Sequence, residues 1–158
     1  MQKTMQRLLI LITLWTCFVT GRAIAQPRFG LRLGAGADPD QFHFGAHLVT
    51  DPLIDRLAFR PNLEIGVGNN LTTIAANFEL AYSVPLPKLD SSAYIGAGPA
   101  LNIYRFGGSQ NRSGETDTGG GFNILLGLEH RKGLFGELKV GAIDSPEFKF
   151  TIGYTFMP

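Results

Sequence analysis

The residues of this chain that could do chemistry fall in a phase of two. Arg28 and Arg32, Arg60 and Glu64, Glu79, Glu129, Glu137 and Lys139, and Glu147 and Lys149 are flanked mostly by apolar residues and share their phase with glycines and amides. On an extended backbone such residues lie on one face. Both signs are represented, so the chemistry this pattern supports is mutual ion pairing rather than capture of a partner of one sign. Buried ions left unpaired cost several kcal/mol each, so an enclosed face of this kind calls for a mixed-sign network.

Other chemistry is thinly represented. His43 and His47 are four apart, which on a strand separates them by about two residue pairs, a long span for sharing one metal ion; no cysteine or carboxylate cluster accompanies them. They are expected to fill space, and His130 to sit in a turn. An acyl-transferring or lipid-trimming enzyme would need a nucleophile beside a base on its apolar surface, whereas Ser83 belongs to the polar phase. Neither a phosphate-binding loop nor an aromatic-basic nucleic-acid surface is present. The expectation is a protein without catalytic residues, cofactor or metal.

The elements that position these residues are strands. With 20 glycines and 12 phenylalanines among 158 residues, the composition disfavours helices, because glycine weakens a helix interior by about 1 kcal/mol relative to alanine. Turn residues divide the chain into alternating segments at 28–37, 41–50, 57–68, 72–84, 92–104, 120–130, 134–143 and 147–156. The last is the clearest: Phe148, Phe150, Ile152, Tyr154 and Phe156 on one face, Glu147, Lys149, Thr151, Gly153 and Thr155 on the other. Uniform alternation argues for antiparallel hairpins, since buried parallel strands are apolar on both faces.

Alternation does not say which face points inward; the glycines do. Gly30, Gly34, Gly45, Gly66, Gly98, Gly127 and Gly153 all lie on the polar face. On a solvated sheet surface they would weaken the strand for no packing gain, whereas inside a narrow barrel they leave room for long polar side chains. The polar face is therefore assigned to a lumen holding the charge network of Arg28, Arg32, Arg60, Glu64, Glu79, Glu129, Glu137, Lys139, Glu147 and Lys149, and the apolar face to lipid. An arginine introduced at Thr151 is then expected to point into a lumen built to hold charge, with crowding beside Gly153 as its main penalty. Phe29, Phe59, Tyr82, Tyr154 and Phe156 gather towards one rim, as in an interfacial girdle.

Ahead of the strands stands a leader. Lys3 and Arg7, the apolar run Leu8 to Val19 and the Ala23-Ile24-Ala25 box form a secretory signal, with cleavage expected before Gln26. Residues 1–25 are read as signal peptide and 26–158 as one domain. The single cysteine, Cys17, leaves with the leader, so no disulfide is expected in the mature chain. Loss of Lys3, Arg7 and Arg22 leaves a net charge of about −2, which points to no nucleic-acid partner.

The terminal Gly153-Tyr154-Thr155-Phe156, a glycine followed by alternating aromatics, resembles the closing-strand signal of bacterial outer-membrane β-barrels, with Met157 and Pro158 following the aromatic that usually ends such chains. With the leader and the strand pattern, the whole mature chain resembles the small barrels of the outer-membrane-protein-A and -X type. The resemblance implies an all-β fold, an eight-stranded antiparallel up-and-down transmembrane barrel inserted in the outer membrane by the barrel assembly machinery, which would read Gly153, Tyr154 and Phe156. It implies outer-membrane lipid as surroundings, a monomer, and a long external loop, residues 105–119, open to an extracellular ligand. A structural or surface-interaction role is favoured over a small channel, because an eight-stranded interior is filled by side chains. A soluble lipocalin-like barrel would need the apolar face inside.

Overall fold

The computed structural model describes residues 27–107, 115–143 and 145–157. The expected leader, residues 1–25, and its cleavage point lie outside the described residues. Eight strands follow one another: β1 Arg28–Ala37, β2 Gln41–Val49, β3 Leu57–Gly68, β4 Leu71–Leu86, β5 Ser91–Phe106, β6 Thr116–His130, β7 Leu134–Ala142 and β8 Phe148–Thr155. Each pairs antiparallel with its neighbour in sequence, and β8 returns to β1, closing the barrel. Closure leaves no exposed edge strand. We call the mouth holding the start of β1 and the end of β8 the lower one, and the opposite mouth, with the β1–β2 turn, the upper one.

The strands match the sequence expectation in number and phase and differ in length. β4 and β5 run to 16 residues each, and β6 begins at Thr116 rather than at residue 120. The expected loop 105–119 is therefore shorter than its glycines suggested: Arg105 pairs with Thr116, Tyr104 with Asp117, Ile103 with Thr118 and Asn102 with Gly119. The β-branched threonines and a well-matched partner strand override the weak strand propensity of glycine there. What projects from the upper mouth is a β-ribbon, with residues 108–114 outside the described set.

Alternation has the expected sense. The outward face is apolar and accessible, with Leu31, Phe42, Leu126 and Phe150 between 48% and 61% exposed, while the inward face holds buried Arg32, Glu64, Glu79, Glu137 and Lys139. Among the described residues the one buried apolar cluster is small, Ala81, Tyr94 and Leu125. Leu125 faces inward although its side chain is aliphatic, because its place between Ile124 and Leu126 in β6 leaves it no other side.

Two prolines interrupt the ladder. β2–β3 pairing stops at His47 and Asn62, before Leu48 would meet Pro61, and resumes with Thr50 N donating to Phe59 O at 3.0 Å. β4–β5 pairing skips from Asn77–Ala100 to Leu80–Ala97, around Phe78 and Pro99. Lacking an N–H, neither proline can supply its rung. At the β6–β7 turn, Gly133 has φ +100°, and a Cβ there would lie 2.0 Å from Thr155 O, so the tight link requires glycine.

Candidate functional site: the barrel lumen

The lumen is built in two tiers. At mid-barrel, Arg32 of β1, Lys139 of β7 and Lys149 of β8 face Glu64 of β3, Glu79 of β4 and Glu137 of β7, three cations to three carboxylates. Lys139 Nζ is 2.7 Å from Glu79 and 3.8 Å from both Glu64 and Glu137; Lys149 Nζ is 2.5 Å from Glu64. Arg32 reaches Glu64 at 3.2 Å through Nε and pairs with Glu137 through its guanidinium terminus. All six side chains are buried, so the neutral stoichiometry is what makes the arrangement tenable in a low-dielectric interior.

Amides extend this tier. Asn62 donates to Glu79 at 2.8 Å, Asn77 to Asn62 at 2.7 Å and Asn123 to Asn77 at 2.8 Å, a chain crossing from β3 to β6. Tyr94 donates its hydroxyl to Glu137 at 3.0 Å. His43 and His47 bond to threonines: His43 Nε2 is 3.0 Å from Thr151 Oγ1 and His47 Nε2 is 3.1 Å from Thr155 Oγ1, which is a space-filling and strand-linking role. Among the described residues no group of three or more histidine, cysteine or carboxylate side chains could hold a metal.

The lower tier is smaller. Arg60 donates to Glu129 at 3.0 Å, and Arg28 approaches the same carboxylate at 3.7 Å. The Arg60 guanidinium lies over the Tyr94 ring, 4.2 Å from its centre, so Tyr94 links the two tiers.

The glycines explain how so much fits. His47 lies opposite Gly30, His43 opposite Gly34, Tyr94 opposite Gly127 and Phe135 opposite Gly153. A Cβ would come within 2.2 Å of the His47 ring at Gly30, 2.8 Å of the His43 ring at Gly34, 2.1 Å of Tyr94 at Gly127 and 2.5 Å of Phe135 at Gly153. Each of these four rings thus lies across the glycine beside it, the arrangement by which aromatics cover strand glycines.

Arg28, Arg32, Arg60, Glu64, Glu79, Glu129, Glu137, Lys139 and Lys149 are thus brought together inside the barrel, as the alternation implied. Glu147 is not: it precedes β8 and is exposed at the upper mouth, because the strand starts one residue later than the pattern suggested. Nor is the lumen roomy at Thr151, which is fully buried against His43, so an arginine there would collide rather than join the network. The asparagine relay and the Tyr94 bridge were visible in the sequence only as polar-phase positions: Asn62 and Asn77 meet through the β3–β4 register, and the links of Asn123 to Asn77 and of Tyr94 to Glu137 cross non-adjacent strands, which leaves no local signal. Gly153, Tyr154 and Phe156 lie in and just after β8, with Tyr154 packed edge-on against Phe156 at 5.3 Å and Phe156 stacked on Phe29 at 6.0 Å, one side of the lower rim.

Searches against protein-family models and curated protein sequences find no match. Solved structures do match. The N-terminal β-barrel domain of Pseudomonas aeruginosa OprF superimposes with a TM-score of 0.60 at 14% identity, covering 83% of this chain and all of that one. The fold is that of the small eight-stranded outer-membrane barrels. Neisserial surface protein A matches equally well, with a TM-score of 0.60 at 12% identity over 82% of this chain and 96% of its own. At such identities the likeness concerns the fold, and the lumen described above belongs to this chain.

Proposed function

We propose that the chain is an integral outer-membrane protein without enzymatic activity, a monomeric barrel with a closed lumen that displays the 105–119 connection outside the cell. The observation that carries this reading is the inverted distribution of polarity: an apolar outward wall encloses ion pairs that are buried and charge-balanced at mid-barrel. Water would be a poor solvent for that wall, and a lipocalin-like binder would carry the apolar face inside. Likeness in fold to OprF and Neisserial surface protein A supports the same reading. The upper mouth then faces outward, outer-membrane lipid surrounds the wall, and the assembly machinery engages the β8 end.

The interior supports a structural or surface-interaction role over a channel, because its centre is occupied by the six-ion tier and the amide chain. Refolding from urea with and without lipid vesicles tests the membrane reading, with folding expected only where lipid or detergent is present. Planar-bilayer recording tests the closed lumen, with little steady conductance expected. Folding in plain buffer would sink the first, and a stable ion-selective current the second.

A further inference from the structure

Charge is balanced at mid-barrel and unbalanced at the lower mouth. There a cavity of about 390 Å³ is lined by Arg28, Arg56, Arg60 and Arg131, and Glu129 is the one carboxylate among its described lining residues. Glu129 is already shared between Arg60 at 3.0 Å and Arg28 at 3.7 Å. Arg60 is buried and fixed over Tyr94, whereas Arg56 and Arg131 stand exposed at the entrance. The walls between these cations are Val49, Ala58, Pro85 and Met157, with the hydroxyls of Ser83 and Ser92 among them. A buried guanidinium, Arg60, with half-buried Arg28 sharing its carboxylate, two exposed guanidiniums at the rim and apolar sides make a receptacle for an anionic head on an apolar body.

We propose that this lower mouth is a binding site for the phosphate group of a small organic phosphate, with Arg28 and Arg60 as the inner donors and Arg56 and Arg131 closing over it. Guanidiniums meet tetrahedral oxyanions through paired N–H donors, and a phosphate supplies more acceptor oxygens than the lone Glu129 carboxylate can. The site stands on the geometry of the mouth; only the compartment it faces, the periplasm, rests on the outer-membrane reading. The phosphate could come from a water-soluble ester or from the headgroup of a lipid in the adjoining leaflet.

Phenyl phosphate is the probe, titrated into isotope-labelled protein folded in octyl glucoside, a detergent without phosphate, with the arginine side-chain N–H signals followed by NMR. Saturable shifts are expected at Arg28 and Arg60, with a dissociation constant on the order of 1 mM and no matching response to phenyltrimethylammonium. Arg56→Gln with Arg131→Gln, which leaves the buried ion pairs intact, should weaken binding about fivefold. Glu129→Gln should tighten it about threefold by freeing both inner arginines, a gain that a purely structural role for Glu129 would not produce. Repeating the titration in nanodiscs separates the sources. Binding blocked by phosphatidylglycerol bilayers identifies a lipid headgroup, and binding that persists there identifies a soluble ester. Absence of saturable shifts, an equal response to the cationic probe, or indifference to both variants would overturn the site. Barrel folding is read separately by circular dichroism, so a chain that folds in detergent yet binds nothing refutes the site alone. One that folds without detergent refutes the membrane reading alone.

Discussion

Adjacent residues of β8 live under different rules. Phe150 and Ile152 point outward and are 48% and 44% exposed, whereas Lys149 and Thr151 point inward and are 7% and 0% exposed. Against hydrocarbon, an outward side chain needs only to be apolar, because lipid tails adapt to its shape. An inward one is specified by named partners: Glu64 for Lys149, His43 for Thr151. Polarity of the wall therefore sets where the barrel is stable, and complementarity of the lumen sets which barrel it is.

The sharpest way to break this contrast is to remove one ion from the inside. Lys139→Met leaves Glu64, Glu79 and Glu137 with two cations, and should cost about 3 to 5 kcal/mol in urea unfolding from lipid vesicles. Adding Glu79→Gln should recover a large part of that loss, since the uncompensated charge goes with it. If Lys139→Met unfolds like the unmodified chain, the network contributes little.

From the outside, charge is the damaging change. Phe150→Arg places a cation against hydrocarbon and should cost about 2 to 4 kcal/mol, while Phe150→Leu should stay within about 1 kcal/mol. Equal and large losses for both would mean that Phe150 packs against a fixed surface rather than fluid lipid.

The smallest effects compare two glycines. Gly127→Ala sets a methyl 2.1 Å from the Tyr94 ring and should destabilise by about 1 to 3 kcal/mol, displacing the hydroxyl that donates to Glu137. Gly136→Ala, on the outward face with nothing within 4 Å of its Cβ, should be neutral or stabilise by up to about 1 kcal/mol. The same unfolding assay reads both, and a reversed order would contradict the assignment of faces.

Number of strands, their phase and the antiparallel order were legible in the sequence because alternation is a local property and a period of two needs no knowledge of neighbours, and the inward placement of the charges was legible from the glycines that share their phase. Residues 148, 150, 152 and 154 announce one apolar face whatever lies beside them, and the glycines on the opposite faces turn it outward. Three things were decided only by the closed barrel. Pairing of Arg105 with Thr116 extended β5 and β6 into what reads locally as a glycine-rich loop, since a partner strand outweighs propensity. Fixed register set His47 opposite Gly30 and Tyr94 opposite Gly127, turning a bias towards small residues into specific cavities. Partition of the charges into a balanced middle tier and a cationic lower mouth depends on strands such as β3 and β7, far apart in sequence, meeting across the lumen. A list of charges carries their sum, and only the distances between them say which are paired.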